Sequence, residues 1–311
     1  MSLLIMSESA RINGWADAWI KAIGQQDPSI DIQVWPQVAD PDAVKFALVW
    51  VYPPGELRKY PNLKCISSTG AGVDHILNDP QLPKNVPVVR LIDQNLVYGM
   101  TQYLLWAVLN HLRYFDFYEQ SQARALWTPR AILPQMHVGI MGLGQLGSDI
   151  AEKLQTLNLK VLGWSQTAKN LAGVETYAGE QQLSAFLNKT DILICLLPLT
   201  PSTRYILNKD TFAQLRPHAY IINVARGAHL VEADLLAALD QEQLSGACID
   251  VFQTEPLPKD HPFWRHPKIK VTPHISSITD PVSAASQIIA NYHRALAGKS
   301  LLNAVDLKKG Y

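Results

Sequence analysis

Cysteine is scarce: Cys65, Cys195 and Cys248 are the only three in 311 residues. They are too scattered for a disulfide framework or a Cys-x-x-Cys metal knuckle. An excess of charge is missing as well. Lys plus Arg and Asp plus Glu both number 27 and the sequence pI is near 7.1. Nothing electrostatic therefore points to nucleic acid or an acidic membrane surface as a partner. Apolar runs as long as Ile192 to Leu197 fall far short of the roughly 20 residues of a membrane helix. The opening Met-Ser-Leu-Leu-Ile-Met-Ser-Glu-Ser has no basic leader before a long apolar stretch, so no signal peptide is expected and a cytoplasmic location is. Repeats and low-complexity tracts are absent. Metal ligation has little support, because His261 and His266 flank Pro-Phe-Trp-Arg with no cysteine nearby. What remains is a globular chain with ample core material: 48% hydrophobic and 17% charged residues.

Short apolar runs alternate with amphipathic stretches. Leu3 to Met6, Ile30 to Trp35, Phe46 to Val51, Lys64 to Ser68 and Val86 to Leu91 read as one strand series. His137 to Met141, Lys160 to Trp164, Asp191 to Leu197, Ala219 to Val224, Ala247 to Val251 and Ile269 to Thr272 read as a second. Strands this apolar suit parallel sheets covered on both faces. Helices are expected at Gln145 to Leu157, Gln181 to Leu187, Lys209 to Gln214 and Val231 to Gln241. The spacing predicts an α/β chain of two doubly wound, Rossmann-like or flavodoxin-like parallel-sheet domains with a cleft between them. Tyr98 to Arg124 reads as one or two helices joining the two series. Its aromatics Tyr114, Phe115, Phe117 and Tyr118 suit packing between domains or a subunit interface. Another helix from Pro281 to about Ala297 is expected to return to the first domain. The expected domains are then residues 1–98 plus 282–311 for substrate and residues 99–281 for the dinucleotide.

The first chemistry-bearing motif is Gly142-Leu-Gly144-Gln145-Leu146-Gly147, after the strand His137 to Met141 and before a helix. In such a turn the first glycine permits the bend, the second lets the backbone approach a pyrophosphate, and the third lets helix and strand pack closely. The unpaired amides and the dipole of the helix start then favour phosphate. Strand, turn, helix and a second strand occur in the right order, which makes dinucleotide binding the expectation. At the end of the second strand an acidic residue would favour NAD(H) by accepting from the ribose. Trp164-Ser165-Gln166-Thr167 has no acid. Ser165 and Thr167 can donate to a 2′-phosphate, and NADP(H) is expected, with NAD(H) the alternative because Gln166 adds no charge.

Three polar residues follow strands of the second series: Arg226 in Asn223-Val-Ala-Arg-Gly227, Glu255 in Asp250-Val-Phe-Gln-Thr-Glu-Pro256, and His274 in Thr272-Pro-His-Ile275. Ligands of open parallel sheets bind beyond the carboxyl ends of strands, so the three can share one crevice. The guanidinium suits a carboxylate or carbonyl. The imidazole suits proton transfer near neutral pH, and the carboxylate can fix its tautomer and favour its charged form.

Those motifs, with Val231-Glu-Ala-Asp-Leu-Leu-Ala-Ala-Leu239, Gln122-Ala-Arg-Ala-Leu-Trp127 and Lys309-Gly-Tyr311, resemble the D-isomer-specific 2-hydroxyacid dehydrogenase family. The finer detail is similar to its glyoxylate/hydroxypyruvate-reducing branch. The resemblance implies hydride transfer between a nicotinamide cofactor and a 2-oxoacid or 2-hydroxyacid. It implies Arg226 as the substrate-orienting arginine, His274 as general acid/base and Glu255 as its partner. Trp50, Ala71 and Gly72 are implied to face the substrate, the loop Gly70 to Asp74 offering amides to its carboxylate and Trp50 limiting its length. Leu197, Pro198, Ala225 and the Arg226 backbone would border the cofactor, with Asp250 and Ser277 near the nicotinamide. A homodimer is implied as well. In that branch an arginine commonly follows the serine that Ser165 matches, where this chain has Gln166. A nicotinamide-sensing protein without turnover is the alternative from another class.

Overall fold

The computed structural model describes residues 1–8 and 14–310. The chain forms two compact units, residues 1–96 with 278–311 and residues 97–277. The borders lie after Leu96 and after Ser277, rather than after residues 98 and 281. Tyr311, the last residue of the closing motif, lies outside the described residues.

The first unit carries strands β1 (Ser2–Met6), β2 (Asp31–Val34), β3 (Val44–Val49), β4 (Cys65–Ser68) and β5 (Val88–Val89) in one parallel sheet of order β2-β1-β3-β4-β5. The second unit carries β6 (His137–Met141), β7 (Lys160–Ser165), β8 (Glu175–Ala178), β9 (Ile192–Cys195), β10 (Ala219–Asn223), β11 (Leu244–Ile249) and β12 (Ile269–Val271). They form one parallel sheet of order β12-β11-β10-β9-β6-β7-β8. Each order reverses once, between β1 and β3 and between β6 and β9. Those reversals are the switch points at which doubly wound sheets open a crevice.

The helices in chain order are α1 (Trp15–Gln26), α2 (Asp74–Leu77), α3 (Gln94–Leu112), α4 (Phe115–Ala123), α5 (Gln145–Thr156), α6 (Gly179–Leu187), α7 (Lys209–Gln214), α8 (Glu232–Asp240) and α9 (Pro281–Leu296). Helix α9 starts where Pro281 follows Asp280, whose carboxylate accepts from the amides of Val282 and Ser283. It places Ala284, Ala285, Ile288 and Tyr292 among Leu3, Ile5, Trp19 and Phe46 of the first unit. Between α3 and α4 the chain breaks at Tyr114, whose φ is 57°. Leu104, Ala107 and Val108 of α3 pack with Val138, Ile140 and Ile150 in the core of the second unit itself.

Two expectations change at sheet edges. The strand expected over Val86 to Leu91 contracts to two residues, and β8 arises from Glu-Thr-Tyr-Ala, too polar to read as a strand. Among the described residues no helix is long and apolar enough to cross a membrane.

Candidate active site

In the second unit, β6 runs straight into the glycine loop. Gly142 has φ +106°, and a Cβ there would lie 2.7 Å from the Leu196 carbonyl oxygen. A Cβ on Gly147 would lie 1.9 Å from the Gly142 carbonyl oxygen, so α5 can rest on the turn only with glycine there. Gly144 caps α5 with extended backbone and no side-chain cap, and nothing lies within 4 Å of where its Cβ would be. The first turn of α5 thus starts beside open space at Gly144, next to an exposed Gln145 and a half-buried Leu146, and its first amides have no partner within the helix. That cradle fits a diphosphate.

At the end of β7, Ser165 is buried and its hydroxyl donates to the Thr167 carbonyl at 2.8 Å. The hydrogen expected to reach a 2′-phosphate is directed into the turn instead. Gln166 and Thr167 are exposed and remain as the polar surface of this end. Beyond β9 the chain continues through buried Leu197 to half-buried Pro198.

Beyond β10 the backbone turns sharply. Fully buried Asn223 donates from Nδ2 to the Arg226 carbonyl at 3.1 Å and accepts at Oδ1 from the Ala225 amide at 3.2 Å. Ala225 is buried and Arg226 half-buried, its Nη1 donating to the Ala225 carbonyl at 2.7 Å. A Cβ on Gly227 would sit 1.9 Å from the Phe252 carbonyl carbon, so this turn presses on the segment that leads to Glu255.

The imidazole and carboxylate meet directly. His274 Nδ1 lies 2.7 Å from Glu255 Oε2, with the side chains 33% and 35% exposed. An ionised carboxylate only accepts, so Nδ1 carries the donated hydrogen and Nε2 is the nitrogen that exchanges a proton. Glu255 Oε1 accepts from the Phe252 amide at 2.9 Å. Partial burial opposes ionisation of Glu255. The hydrogen bonds from His274 and Phe252, with the positive charges of His274 and Arg226, outweigh it and hold the carboxyl below its ordinary 4.5.

His274 itself stands at φ 53°, a left-handed conformation that costs on the order of 1 kcal/mol for a non-glycine residue. Asp250 holds it there. The His274 amide donates to the Asp250 carbonyl at 2.8 Å. The fully buried Asp250 carboxylate accepts from Thr272 Oγ1 (2.6 Å), the Ile275 amide (2.9 Å) and the Ser276 amide (2.9 Å). Both Asp250 carboxylate oxygens face the loop that carries His274. Tyr103 bonds Thr272 Oγ1 at 2.5 Å and ties that loop to α3. Ser277 lies against Gly99.

The first unit holds the other expected residues. Trp50, just past β3, has its ring centroid 4.5 Å from that of His75 and lies beside Gly70. After β4, the buried Ser68 hydroxyl accepts from the Gly70 amide at 3.1 Å and donates to the Gly72 carbonyl at 2.8 Å. Ser68 thus shapes the turn and leaves half-buried Ala71 and Gly72 at its bend. His261 and His266 act locally, their Nδ1 atoms accepting from the amides of Phe263 and Lys268. Among the described residues no group of three His, Cys, Asp or Glu side chains could hold a metal ion.

Residues 105–276 match the model of the D-isomer specific 2-hydroxyacid dehydrogenase NAD-binding domain. The chain belongs to the D-isomer-specific 2-hydroxyacid dehydrogenase family. As a member it is an oxidoreductase. It is 44% identical over 303 residues to glyoxylate/hydroxypyruvate reductase A of Serratia proteamaculans, covering 95% of this chain and 96% of that one. Against the same-named protein of Yersinia enterocolitica it is 41% identical over 305 residues, with 95% and 96% covered. Among solved structures, a dehydrogenase of this family from Xanthobacter autotrophicus, in complex with NADPH and MES, aligns with TM-score 0.94 at 38% identity, covering 100% of this chain and 99% of that one. The NADPH-dependent glyoxylate/hydroxypyruvate reductase of Sinorhizobium meliloti, in complex with NADP and sulfate, aligns with TM-score 0.92 at 36% identity over the whole of both chains.

Sequence patterns did not disclose the role of Asn223 in the turn that carries Arg226, or of Ser68 in the turn that carries Ala71 and Gly72. Each works through backbone groups, and only the position of Asn223 and Ser68 at strand ends could have drawn attention to them.

Proposed function

We propose that this dehydrogenase reduces short 2-oxoacids, glyoxylate and hydroxypyruvate among them, to 2-hydroxyacids with NADPH. The observation that carries the reading is the His274–Glu255 contact at 2.7 Å, on a loop beside the turn that presents Arg226. The names of the relatives and the NADPH and NADP bound to the solved neighbours support the choice of substrate and cofactor.

In this reading the second unit binds the nicotinamide cofactor, its diphosphate lying on the amides of Gly144 to Gly147 and its rings bordered by Leu197, Pro198, Ala225 and Ser277. Gln166 and Thr167 meet the adenosine ribose or its phosphate. When bound, the cofactor supplies a hydride to the carbonyl carbon. Arg226 orients the substrate and stabilises negative charge that develops on the carbonyl oxygen. His274 gives that oxygen its proton from Nε2, while Glu255 keeps Nδ1 protonated and the ring aligned. Asp250 acts through the loop, holding His274 in place. In the first unit the amides of Ala71 and Gly72 bind the substrate carboxylate, and Trp50, braced by His75, restricts the length of its side chain.

A panel of 2-oxoacids assayed with NADPH and with NADH, followed at the reduced nicotinamide band, tests this. Glyoxylate and hydroxypyruvate should turn over faster with NADPH than with NADH, and bulky phenylpyruvate should lag. With Gln166 exposed and Ser165 turned inward, measurable NADH turnover is expected too. NADH preference, or no turnover of either short acid, would refute the assignment.

We further propose a homodimer. Residues 124–136 form no helix or strand, and Trp127 there is 98% exposed, with Leu126, Ile132 and neighbouring Phe115 also exposed. Large apolar groups left in water along one stretch of chain are a mark of a covered surface, and a second copy is the partner that needs no other component. Sedimentation should give a dimer for the wild type and a shift towards monomer for Trp127→Glu. A wild-type monomer at micromolar concentration would end this proposal. Three buried free thiols, Cys65, Cys195 and Cys248, fit a reducing cytoplasm, which fractionation of host cells can check.

A further inference from the structure

The turn that carries Arg226 is followed by a histidine for which the proposed chemistry has no use. His229 is fully buried, in the short 3-10 turn Gly227–His229. Its Nε2 lies 3.3 Å from the Pro198 carbonyl oxygen, and its Nδ1 lies 3.2 Å from both the amide nitrogen and the carbonyl oxygen of Arg226. A backbone amide only donates and a carbonyl only accepts, so a hydrogen on Nε2 satisfies both the Arg226 amide and Pro198, whereas one on Nδ1 would leave both without a partner in this ring. In the neutral ring Nδ1 then accepts from the Arg226 amide. One rigid ring thereby links two strand ends, the loop after β9 and the turn after β10. Its backbone is fixed as well, because the His229 carbonyl accepts from the Leu207 amide and the Ala228 carbonyl from the Tyr205 amide.

What lies at each end gives the link its meaning. The Leu196–Pro198 segment stands at the switch point between β6 and β9, and the would-be Cβ of Gly142 lies 2.7 Å from Leu196 O and 3.1 Å from Leu197 N. It is thus one wall of the dinucleotide cradle. The other end is the peptide of Arg226. Pro198 O also accepts from Thr203 Oγ1 at 2.7 Å, so the loop is held from two sides. A buried aliphatic side chain would fill the same space without fixing the distance between cofactor wall and guanidinium.

We infer that His229 is a positioning residue, a neutral imidazole that sets the Arg226 turn in register with the cofactor wall at Pro198. The inference rests on the dehydrogenase reading above. Two substitutions separate its two hydrogen bonds. His229→Gln keeps a donor at the position of Nε2 towards Pro198 and loses the acceptor for the Arg226 amide. His229→Asn keeps an acceptor near that amide and falls short of Pro198. Loss of one buried hydrogen bond corresponds to roughly a fivefold to tenfold effect.

The test combines kcat and KM for glyoxylate, thermal unfolding, and NADPH affinity titrated by fluorescence without substrate. His229→Gln should lower kcat roughly fivefold to tenfold while NADPH affinity stays near wild type. His229→Asn should weaken NADPH binding by a similar factor while kcat stays near wild type. A long-range 15N–1H spectrum of the wild type should show His229 as its Nε2–H tautomer. Parallel loss of kcat, NADPH affinity and melting temperature in both variants, no change in either, or an Nδ1–H tautomer would overturn the inference. A wild type that binds NADPH but turns over no 2-oxoacid would instead strike down the dehydrogenase reading, with the titration and the spectrum still deciding the contact to Pro198.

Discussion

Replacing His274 with Asn is expected to lower kcat for glyoxylate reduction by roughly 10²–10⁴-fold, the range of a lost general acid. Asn is the informative substitution because residue 274 sits at φ 53°. Asn tolerates that region far better than Ala, so the loop held by Asp250 keeps its shape. The amide side chain can still occupy the space beside Glu255 but has no proton to give. NADPH affinity, measured by titration, should therefore remain near wild type while turnover collapses. A variant retaining more than about a tenth of wild-type kcat would show that protonation of the carbonyl oxygen does not depend on this imidazole.

Arg226→Ala is the second large effect. The guanidinium is half-buried on a turn fixed by Asn223 and by the close approach of Gly227 to Phe252, so in the proposed reaction it would meet the substrate with little reorganisation. Losing a preorganised donor to a developing oxyanion costs about 3 kcal/mol, or roughly a hundredfold in kcat. A rise in KM should accompany it, since the same group orients the ground state. Arg226→Lys should recover only part of the loss, because an ammonium keeps the charge and lacks the planar fork. Steady-state kinetics with glyoxylate checks both variants. A rise in KM alone, with kcat unchanged, would make Arg226 a binding group and leave the oxyanion without its donor.

The sequence disclosed the fold well where strands are buried on both faces. His137 to Met141 is a strand with the same limits in the structure, and β9 and β10 differ by a residue or two at their ends. It failed at the edges, where β8 pairs with β7 only and so needs little apolar character. The glycine loop was legible because Gly142 and Gly147 occupy positions where a Cβ meets backbone, a constraint visible in residue type. Glu255 and His274 were legible as polar residues after strands. Their contact was not, since 19 residues separate them and the joining geometry belongs to Asp250 and its three loop partners. Ser165 shows the opposite limit. Its type suits a phosphate, yet the backbone carbonyl of Thr167 lies within reach and takes the hydrogen. No pattern of residue types encodes that competition.

The coupling of His274 to Glu255 is tested most directly by the pH dependence of reductive kcat/KM in the wild type and in Glu255→Gln. Glu255, held below its ordinary 4.5, is ionised throughout the neutral range, and its support is lost only as pH falls through that lowered value. In the proposed reduction His274 gives its Nε2 proton with the support of the ionised carboxylate, so wild-type kcat/KM should decline on the acid side as Glu255 is protonated. Glu255→Gln removes the ionisable group, so it should lower kcat/KM at neutral pH and show no such acid-side decline. If both profiles superimpose, or if the variant keeps the acid-side decline, the carboxylate does not sustain the proton donor and the pairing has no part in the reaction.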